Sequence, residues 1–361
     1  MNVISLFSGC GGDTLGMENA GYKVIAFNEY NKAAIESHKL NFPDSKLLED
    51  KSPDITKIPD SVFDAYKDKV ELVFAGFPCQ GFSRGGKRKS DDPRNQMYLQ
   101  FVRVVKATSP KFFIGENVTG LTTMKSGPEE TDPLVLDKIK KAFKDIDYDI
   151  TYQVVEATNF AVPQKRKRII IVGWKKSIAF EPTSFWASVN SYTNNKLPKM
   201  RSFVTNSMDG AFQIPKANVP EDFANYALTI EGTAEPSGTP HPFVVLKASA
   251  SNEVYSGTTY KSLLTCSKRG SPIHSEIIDL DKPCKTIICT YDHQPRLLVG
   301  LRKPDGTAYC RVLLPDELKQ IQGFPKDYKI YGNNKEKVTQ IGNAVPPPII
   351  EAVSASLKKY M

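Results

Sequence analysis

The first half of the chain alternates short apolar runs with stretches of helical periodicity, and this alternation limits the fold more than any other feature. The apolar runs are residues 3–7, 24–27, 72–75, 112–114 and 169–172. Helical patterns lie between them at residues 12–20, 31–41, 96–107 and 133–146. Strands that alternate with helices at this spacing predict an α/β fold with a doubly wound, mostly parallel sheet.

The length and the composition of the chain fit a globular protein of two domains. At about 150 residues per domain, 361 residues allow about two. A content of 40% hydrophobic and 24% charged residues excludes a mainly disordered chain, a collagen-like repeat and a small disulfide-stapled scaffold. Helical periodicity fades between residues 174 and 295, where Ser, Thr, Asn, Pro and Lys become frequent. This change predicts a second, loop-rich domain with strands.

Charge, hydropathy and cysteine spacing narrow the range of partners. The net charge of +8 is compatible with a polyanionic partner but does not require one. No run approaches about 18 apolar residues and no secretory signal opens the chain, so we expect neither a membrane partner nor export. None of the six cysteines has C-x-x-C spacing, so no metal site is expected. We expect reduced thiols in an intracellular protein, cytoplasmic with the nucleus left open.

A glycine-rich turn, residues 8–12, follows the first apolar run, and Glu29 follows the second. In doubly wound sheets an acid at this position can bind both hydroxyls of a ribose. The turn lacks the third glycine of the G-x-G-x-x-G pattern, so a nucleoside-bearing cofactor fits better than a pyrophosphate-linked one. The alternative is a tight turn that needs glycine only for packing.

Cys79 and Glu116 are the first candidates for chemistry, because each follows a predicted strand at the same edge of the sheet. A thiol in a loop flanked by Pro78 and Gly81 can ionise and act as a nucleophile. A carboxyl group beside it could donate a proton. The alternatives are a small buried cysteine and a helix-capping acid.

A basic run at residues 164–168 precedes the last apolar run of this half. Strand alternation would turn Arg166 and Arg168 to one face, where they could bind phosphate or planar acceptor groups. The alternative is a face that only contacts solvent.

Six segments occur in an order typical of one family. They are Phe7-Ser8-Gly9-Cys10-Gly11-Gly12, Pro78-Cys79-Gln80, Glu116-Asn117-Val118, Gln164-Lys165-Arg166-Lys167-Arg168, Arg311 to Pro325, and Gln340-Ile341-Gly342-Asn343-Ala344-Val345. Together they closely resemble the cytosine-C5 DNA methyltransferases, which use S-adenosylmethionine. The resemblance covers residues 1 to about 177 and about 282 to 361.

The resemblance implies a Rossmann-like class I methyltransferase fold and a covalent mechanism. Residues 1–177 and 335–361 would form the catalytic domain, and residues 178–334 a smaller target-recognition domain. A cytosine would be flipped out of double-stranded DNA, attacked at C6 by Cys79 and protonated at N3 by Glu116. Arg168 would hold the O2 side of the base and Arg166 a phosphate. Methyl transfer to C5 would release S-adenosylhomocysteine.

The resemblance also assigns binding residues and partners. The cofactor would contact Phe7, Gly9, Cys10, Gly11, Glu29, Tyr30, Asp54, Ile55, Pro78 and Asn343. The DNA would contact Gln80, Ser83, Arg84, Asn117, Thr286 and Ile287. We expect a monomer that serves restriction-modification or a virus, with a cognate restriction endonuclease encoded nearby. Leu314 and Asp316 depart from the usual penultimate motif, which puts the local packing there in doubt.

Three other functions stay open at this point. A tRNA-directed relative would share the chemistry, but the Cys-Phe-Thr signature usual in that branch is absent. A binding module that reads DNA without modifying it is disfavoured by the intact cysteine, glutamate and arginines. A nicotinamide-dependent oxidoreductase is disfavoured by the missing third glycine.

Overall fold

The computed structural model gives the conformation of most of the chain. It describes residues 1–78, 96–127, 129–194, 197–214, 216, 219, 223–230, 236–237, 276–291 and 297–361, and the short strands at 247–248, 254–255, 258–259 and 264–265.

The first half of the chain builds a large sheet with helices on both faces. The strands of this half are β1 (Asn2–Leu6), β2 (Lys23–Asn28), β3 (Lys46–Leu47), β4 (Leu72–Ala75), β5 (Phe112–Val118), β6 (Tyr148–Glu156), β7 (Gln164–Lys165) and β8 (Lys167–Lys175). All except β7 belong to the large sheet. The helices of this half are α1 (Gly12–Asn19), α2 (Lys32–Asn41), α3 (Asp60–Asp64), α4 (Met97–Thr108), α5 (Val135–Lys144) and α6 (Pro182–Ser191).

Within the described residues the large sheet has seven strands in the order β3-β2-β1-β4-β5-β8-β6. Strands β1 to β5 pair in parallel, and β8 runs antiparallel to both β5 and β6. The predicted doubly wound, mostly parallel α/β sheet is therefore confirmed. The sequence pattern missed β6, whose half-exposed residues do not form an apolar run, and it gave no sign that β8 is reversed.

Side chains alternate across the sheet and build one core on each face, as the period of two of a strand requires. Val73 and Phe113 point to the face covered by α4 and α5. Leu72, Phe112 and Ile114 point to the opposite face, where α1, α6 and the last helix pack. Burial on both faces explains why these strands read as continuous apolar runs.

The second half of the chain forms a smaller sheet and the closing helices. The strands of this half are β9 (Phe212–Gln213), β10 (Ala227–Thr229), β11 (Lys247–Ala248), β12 (Val254–Tyr255), β13 (Thr258–Thr259), β14 (Leu264–Thr265), β15 (Glu276–Ile277), β16 (Cys284–Lys285), β17 (Leu297–Arg302) and β18 (Ala308–Val312). Of these, β9, β10, β15, β17 and β18 form the smaller sheet. The helices of this half are α7 (Pro315–Ile321), α8 (Asn334–Asn343) and α9 (Pro347–Leu357).

A third core lies between the smaller sheet and helices α7 and α8. It contains Val299 of β17, Leu318 of α7, and Val338 and Ile341 of α8. Helix α8 therefore contributes to the core of the second half, although it lies in the last segment of the chain. In the described part of the chain, no helix has the length and hydropathy needed to cross a membrane.

A buried ion pair joins β18 to α7 and explains how the penultimate motif accommodates Leu314. Arg311 and Glu317 form two parallel hydrogen bonds, Nη1 to Oε2 at 2.8 Å and Nη2 to Oε1 at 2.7 Å. Arg311 also donates to the carbonyls of Thr205 and Ser207. Glu317 accepts from the backbone N–H of Leu314, which supplies the helix cap that a leucine side chain cannot provide.

We expect Arg311→Ala to lower the free energy of unfolding by about 3–5 kcal/mol, because it leaves the Glu317 carboxylate buried without its partner. Urea unfolding followed by circular dichroism measures the change. Lys141→Ala is the control, since Lys141 and Asp145 form an exposed pair on α5, which should contribute less than about 1 kcal/mol. Equal effects of the two substitutions would contradict the prediction.

Candidate active site

The carboxyl ends of three parallel strands meet at one edge of the large sheet. Leu6 of β1 pairs with Ala75 of β4, and Ala75 pairs with Gly115 of β5. Glu116 of β5 therefore lies one residue beyond these three paired residues. A methyl group built on Gly76 would lie 3.8 Å from Glu116 Oε2 and 3.8 Å from the carbonyl oxygen of Phe7. The structure thus brings together three segments that the sequence placed at the same edge.

Glu116 and Arg168 form an ion pair at this edge. Arg168 Nε lies 2.8 Å from Glu116 Oε1, and the two side chains are 14% and 13% exposed. The pair joins neighbouring antiparallel strands, since Val118 lies opposite Arg168. Burial lowers the pKa of the Arg168 guanidinium, and the carboxylate of Glu116 opposes that shift. Glu116 Oε2 is left on the side of Gly76, where a substrate could approach it.

Glu29 of the segment after β2 is hydrogen-bonded to the glycine-rich turn that follows β1. The carboxylate of Glu29 accepts hydrogen bonds from the backbone N–H groups of Gly9, Tyr30 and Asn31 at 2.7–2.8 Å. Gly9 and Gly11 both have positive φ, at 55° and 87°. A methyl group built on Gly9 would meet no atom within 4 Å, so open space adjoins the turn that is predicted to contact the cofactor.

The segment that contains Asp54 and Ile55 is anchored by two side chains that the sequence interpretation missed. Asn28 donates to the carbonyl of Pro53 at 2.9 Å. Arg103 of α4 donates to the carbonyls of Ile55 and Ile58 at 2.6 and 3.0 Å. Neither residue lies in one of the six segments that resemble the family, and their anchoring role is visible only in the three-dimensional contacts.

Several of the predicted cofactor residues have surfaces that a ligand could reach. Tyr30 is 72% exposed, Asn343 is exposed at the end of α8, and Pro78 is partly buried three residues after β4. The side chain of Cys10 is different, because it is fully buried with its sulfur toward the carbonyl of Gln340. Burial raises the pKa of this thiol. Therefore only the backbone of Cys10 can make the predicted contact with the cofactor.

Arg166 does not occupy the phosphate-binding position that the family resemblance implies. It lies between β7 and β8 and is 2% exposed, and its guanidinium donates to the backbone carbonyls of Ile287, Gly342 and Ala344. The alternation itself holds, because Lys165 and Lys167 are exposed, whereas Arg166 is buried and the Arg168 side chain is 14% exposed. The face that the two arginines share lies against the protein interior. The structure gives this arginine internal partners instead of a surface on which a phosphate could bind.

Two of the predicted DNA contacts are likewise corrected by burial. The Asn117 amide is buried and donates to the carbonyl of Phe77 at 3.1 Å, so it holds the chain that leads into Pro78. The Ile287 side chain is 1% exposed and belongs to the third core. Thr286 is partly exposed and donates to the carbonyl of Lys165.

Four predicted site residues lie outside the described residues. They are Cys79, Gln80, Ser83 and Arg84.

Beneath the glycine-rich turn lies a buried carboxyl group, Asp13, which accepts a hydrogen bond from Ser5. Burial raises its pKa from the ordinary 3.8 to about 7, against the lowering effect of the hydrogen bonds from Ser5 and the backbone. Between about pH 4 and pH 7 the folded protein therefore binds more protons at this group than the unfolded chain does. The contribution of Asp13 to stability falls as the pH rises through that window.

We expect Asp13→Asn to be more stable relative to wild type at pH 8 than at pH 5, by about 1–4 kcal/mol. The amide keeps the shape of the side chain but never acquires a charge. Urea unfolding at the two pH values measures the difference, and Asp64→Asn, an exposed position on α3, is the control. A difference that does not change between pH 5 and pH 8 would show that Asp13 titrates as it does in the unfolded chain.

Comparison with known proteins gives the same family along the whole chain. The model of the C-5 cytosine-specific DNA methylase family matches residues 1–359. The chain is 29% identical over 363 residues to the Type II methyltransferase M.NgoPII of Neisseria gonorrhoeae, covering 100% of this chain and 96% of that protein. It is 29% identical to M1.HphI of Haemophilus parahaemolyticus, covering 99% of this chain and 87% of that protein.

Among solved structures, the S. pombe Dnmt2 methyltransferase has the same fold. The TM-score is 0.64 at 15% identity, and the match covers 99% of both chains. The family match over almost the full length agrees with the arrangement of the Glu116–Arg168 pair and the glycine-rich turn at one sheet edge. The chain belongs to the C-5 cytosine-specific DNA methylases and is a DNA cytosine-C5 methyltransferase.

Proposed function

We propose that this enzyme methylates C5 of a cytosine that is flipped out of double-stranded DNA, with S-adenosylmethionine as donor. The observation that carries the proposal is the Glu116–Arg168 pair, which lies beside Gly76 and Phe7 where β1, β4 and β5 end. Two residues beyond Phe77, the chain reaches Cys79. A nucleophile, a proton donor and a base-binding arginine would thus share one edge of the sheet.

The residues of the glycine-rich turn suit the proposed donor. Glu29 would bind the ribose, Tyr30 would stack on the adenine, and Asp54 and Ile55 would flank the adenine edge. The backbone from Phe7 to Gly11, together with Pro78 and Asn343, would surround the methionine part. The open space at Gly9 supports this assignment, since a side chain there would fill it. When bound, S-adenosylmethionine supplies an electrophilic methyl group on a sulfonium.

In the proposed mechanism, the residues of the chain activate the cytosine ring. The Cys79 thiolate forms a bond to C6, while Glu116, which takes up a proton before the attack, donates it to N3, so that the pair of electrons reaches C5 without building a full negative charge. Arg168 holds the Glu116 carboxyl in place and hydrogen-bonds O2. After C5 is methylated, solvent takes the C5 proton, the electrons of that C–H bond re-form the C5–C6 double bond and expel the Cys79 thiolate, and N3 returns its proton to Glu116. The ring must leave the base stack for this attack, because its C6 face is covered in the duplex.

The second half of the chain is proposed to recognise the DNA target. Residues 178–334 would form the target-recognition domain, and residues 1–177 with 335–361 the catalytic domain. The relatives M.NgoPII and M1.HphI are Type II methyltransferases, so we propose a modification enzyme of a restriction-modification system, acting as a monomer beside a cognate endonuclease.

Bisulfite sequencing of plasmid DNA from cells that express the protein tests this function. Protected cytosines at one recurring sequence are the expected result, and a plasmid from cells with Cys79→Ala is the control. Calorimetry with S-adenosylhomocysteine tests the cofactor separately. Unprotected plasmid DNA together with methylated tRNA would overturn the proposed substrate.

A further inference from the structure

Arg166 belongs to a closed ring of buried hydrogen bonds beside the candidate active site. Arg166 Nη1 donates to the Ile287 carbonyl at 3.1 Å, and the Ile287 N–H donates to Gln164 Oε1 at 2.8 Å. Gln164 donates to Gln322, which donates to the Ala344 carbonyl. Arg166 Nη2 closes the ring at the same carbonyl, at 3.0 Å. Arg166, Gln164, Gln322 and Ile287 are each at most 2% exposed.

The ring is hydrogen-bonded to the backbone on both sides of Asn343. Arg166 Nη2 donates to the carbonyl of Gly342 at 3.1 Å and to that of Ala344 at 3.0 Å. These carbonyls lie where α8 ends, so they lack partners within the helix and attract a cation. Gly342 also packs directly on the backbone, since a methyl group there would lie 2.5 Å from Ile288 C and Cys289 N. The backbone that carries the exposed side chain of Asn343 is therefore held in place.

We propose that Arg166 is a positioning residue that fixes Asn343 for binding of the adenosyl ligand, and that it does not contact DNA phosphate. The inference rests on the proposed function, because it takes Asn343 to face S-adenosylmethionine. One guanidinium nitrogen holds the residues before and after Asn343, while the other holds Ile287, next to Thr286. A lysine would keep the charge but cannot reproduce this planar fork.

The first test measures binding of S-adenosylhomocysteine by calorimetry without DNA. We expect R166K to raise the Kd by about tenfold, and N343A to raise it by a similar factor. Because Arg166 acts through Asn343, R166K should add less than about twofold in the N343A background. Independent, multiplicative effects of the two substitutions would overturn the proposal.

A second pair of variants keeps the test decisive if R166K does not fold. Q322L removes the donor that shares the Ala344 carbonyl with Arg166, and it should raise the Kd several-fold unless Asn343 is already alanine. Q320L is the matched control on α7, because the Gln320 side chain donates to the carbonyl of Asp316 in its own helix. If Q322L lowers Tm but leaves the Kd unchanged, the ring is merely structural and the proposal is wrong.

The salt dependence of DNA binding separates positioning from phosphate contact. Loss of one phosphate contact reduces the slope of log K against log salt concentration by about one. We expect R166Q to leave this slope unchanged, and a reduction by about one would overturn the proposal. Wild-type protein that binds no S-adenosylhomocysteine would overturn the proposed function itself, whereas binding that R166K and Q322L leave unaltered would overturn only the inference.

Discussion

Cys79→Ala is expected to lower methyl transfer by at least about 10⁴-fold while leaving the affinity for S-adenosylhomocysteine within about twofold. Without the sulfur, no bond to C6 forms and C5 does not become nucleophilic. The cofactor residues are held by other contacts, such as the bond from Gly9 to Glu29. Transfer of tritiated methyl groups to a duplex that carries the site mapped by bisulfite sequencing measures the loss.

A covalent trap distinguishes loss of the nucleophile from general damage. In a duplex with 5-fluorocytosine at the target, C5 has no proton to lose after methylation, so the bond from Cys79 to C6 should persist through denaturing electrophoresis. Cys289→Ala, which removes a thiol that is partly exposed in the structure, should form this adduct at the wild-type level. An adduct with Cys79→Ala would assign the nucleophile to a different residue.

The sequence predicts those parts of the molecule that follow from local patterns. Runs such as Leu72–Ala75 are apolar at every position because both faces of the strand are buried. The central strands could therefore be predicted from the sequence. Glu29 and Glu116 could be placed because the ends of parallel strands share one edge. Strand β6 was missed since one of its faces is partly exposed and its apolar residues are scattered.

The roles of buried polar residues depend on contacts between distant segments, which no local pattern encodes. Arg166 bonds to carbonyls more than 100 residues away, at Ile287 and Gly342. Its spacing from Arg168 predicted a shared face, and both arginines do lie opposite the exposed Lys165 and Lys167. The spacing could not show that Arg166 is enclosed by distant carbonyls whereas Arg168 pairs with Glu116. Arg103 was missed for the same reason, as its carbonyl partners lie far away in the chain.

Glu116→Gln is expected to slow methyl transfer by about 10²–10⁴-fold, the usual contribution of a positioned general acid. The amide can still accept the bond that Arg168 Nε makes with Glu116 Oε1, so the geometry of the pair is kept. It can also donate a hydrogen bond toward N3, but it cannot transfer a proton there. Single-turnover transfer to the mapped duplex measures the rate, and trapping with 5-fluorocytosine should slow in parallel because both follow the attack on C6.

Glu156→Gln provides the matched control for Glu116→Gln, because Glu156 of β6 forms an ion pair with Lys167 of β8 at a more exposed position of the same sheet. We expect this variant to transfer methyl groups within about twofold of wild type, since exposed pairs contribute little. If Glu116→Gln were equally active, proton donation to N3 would have to come from another group, and the ion pair with Arg168 would serve only to join β5 to β8.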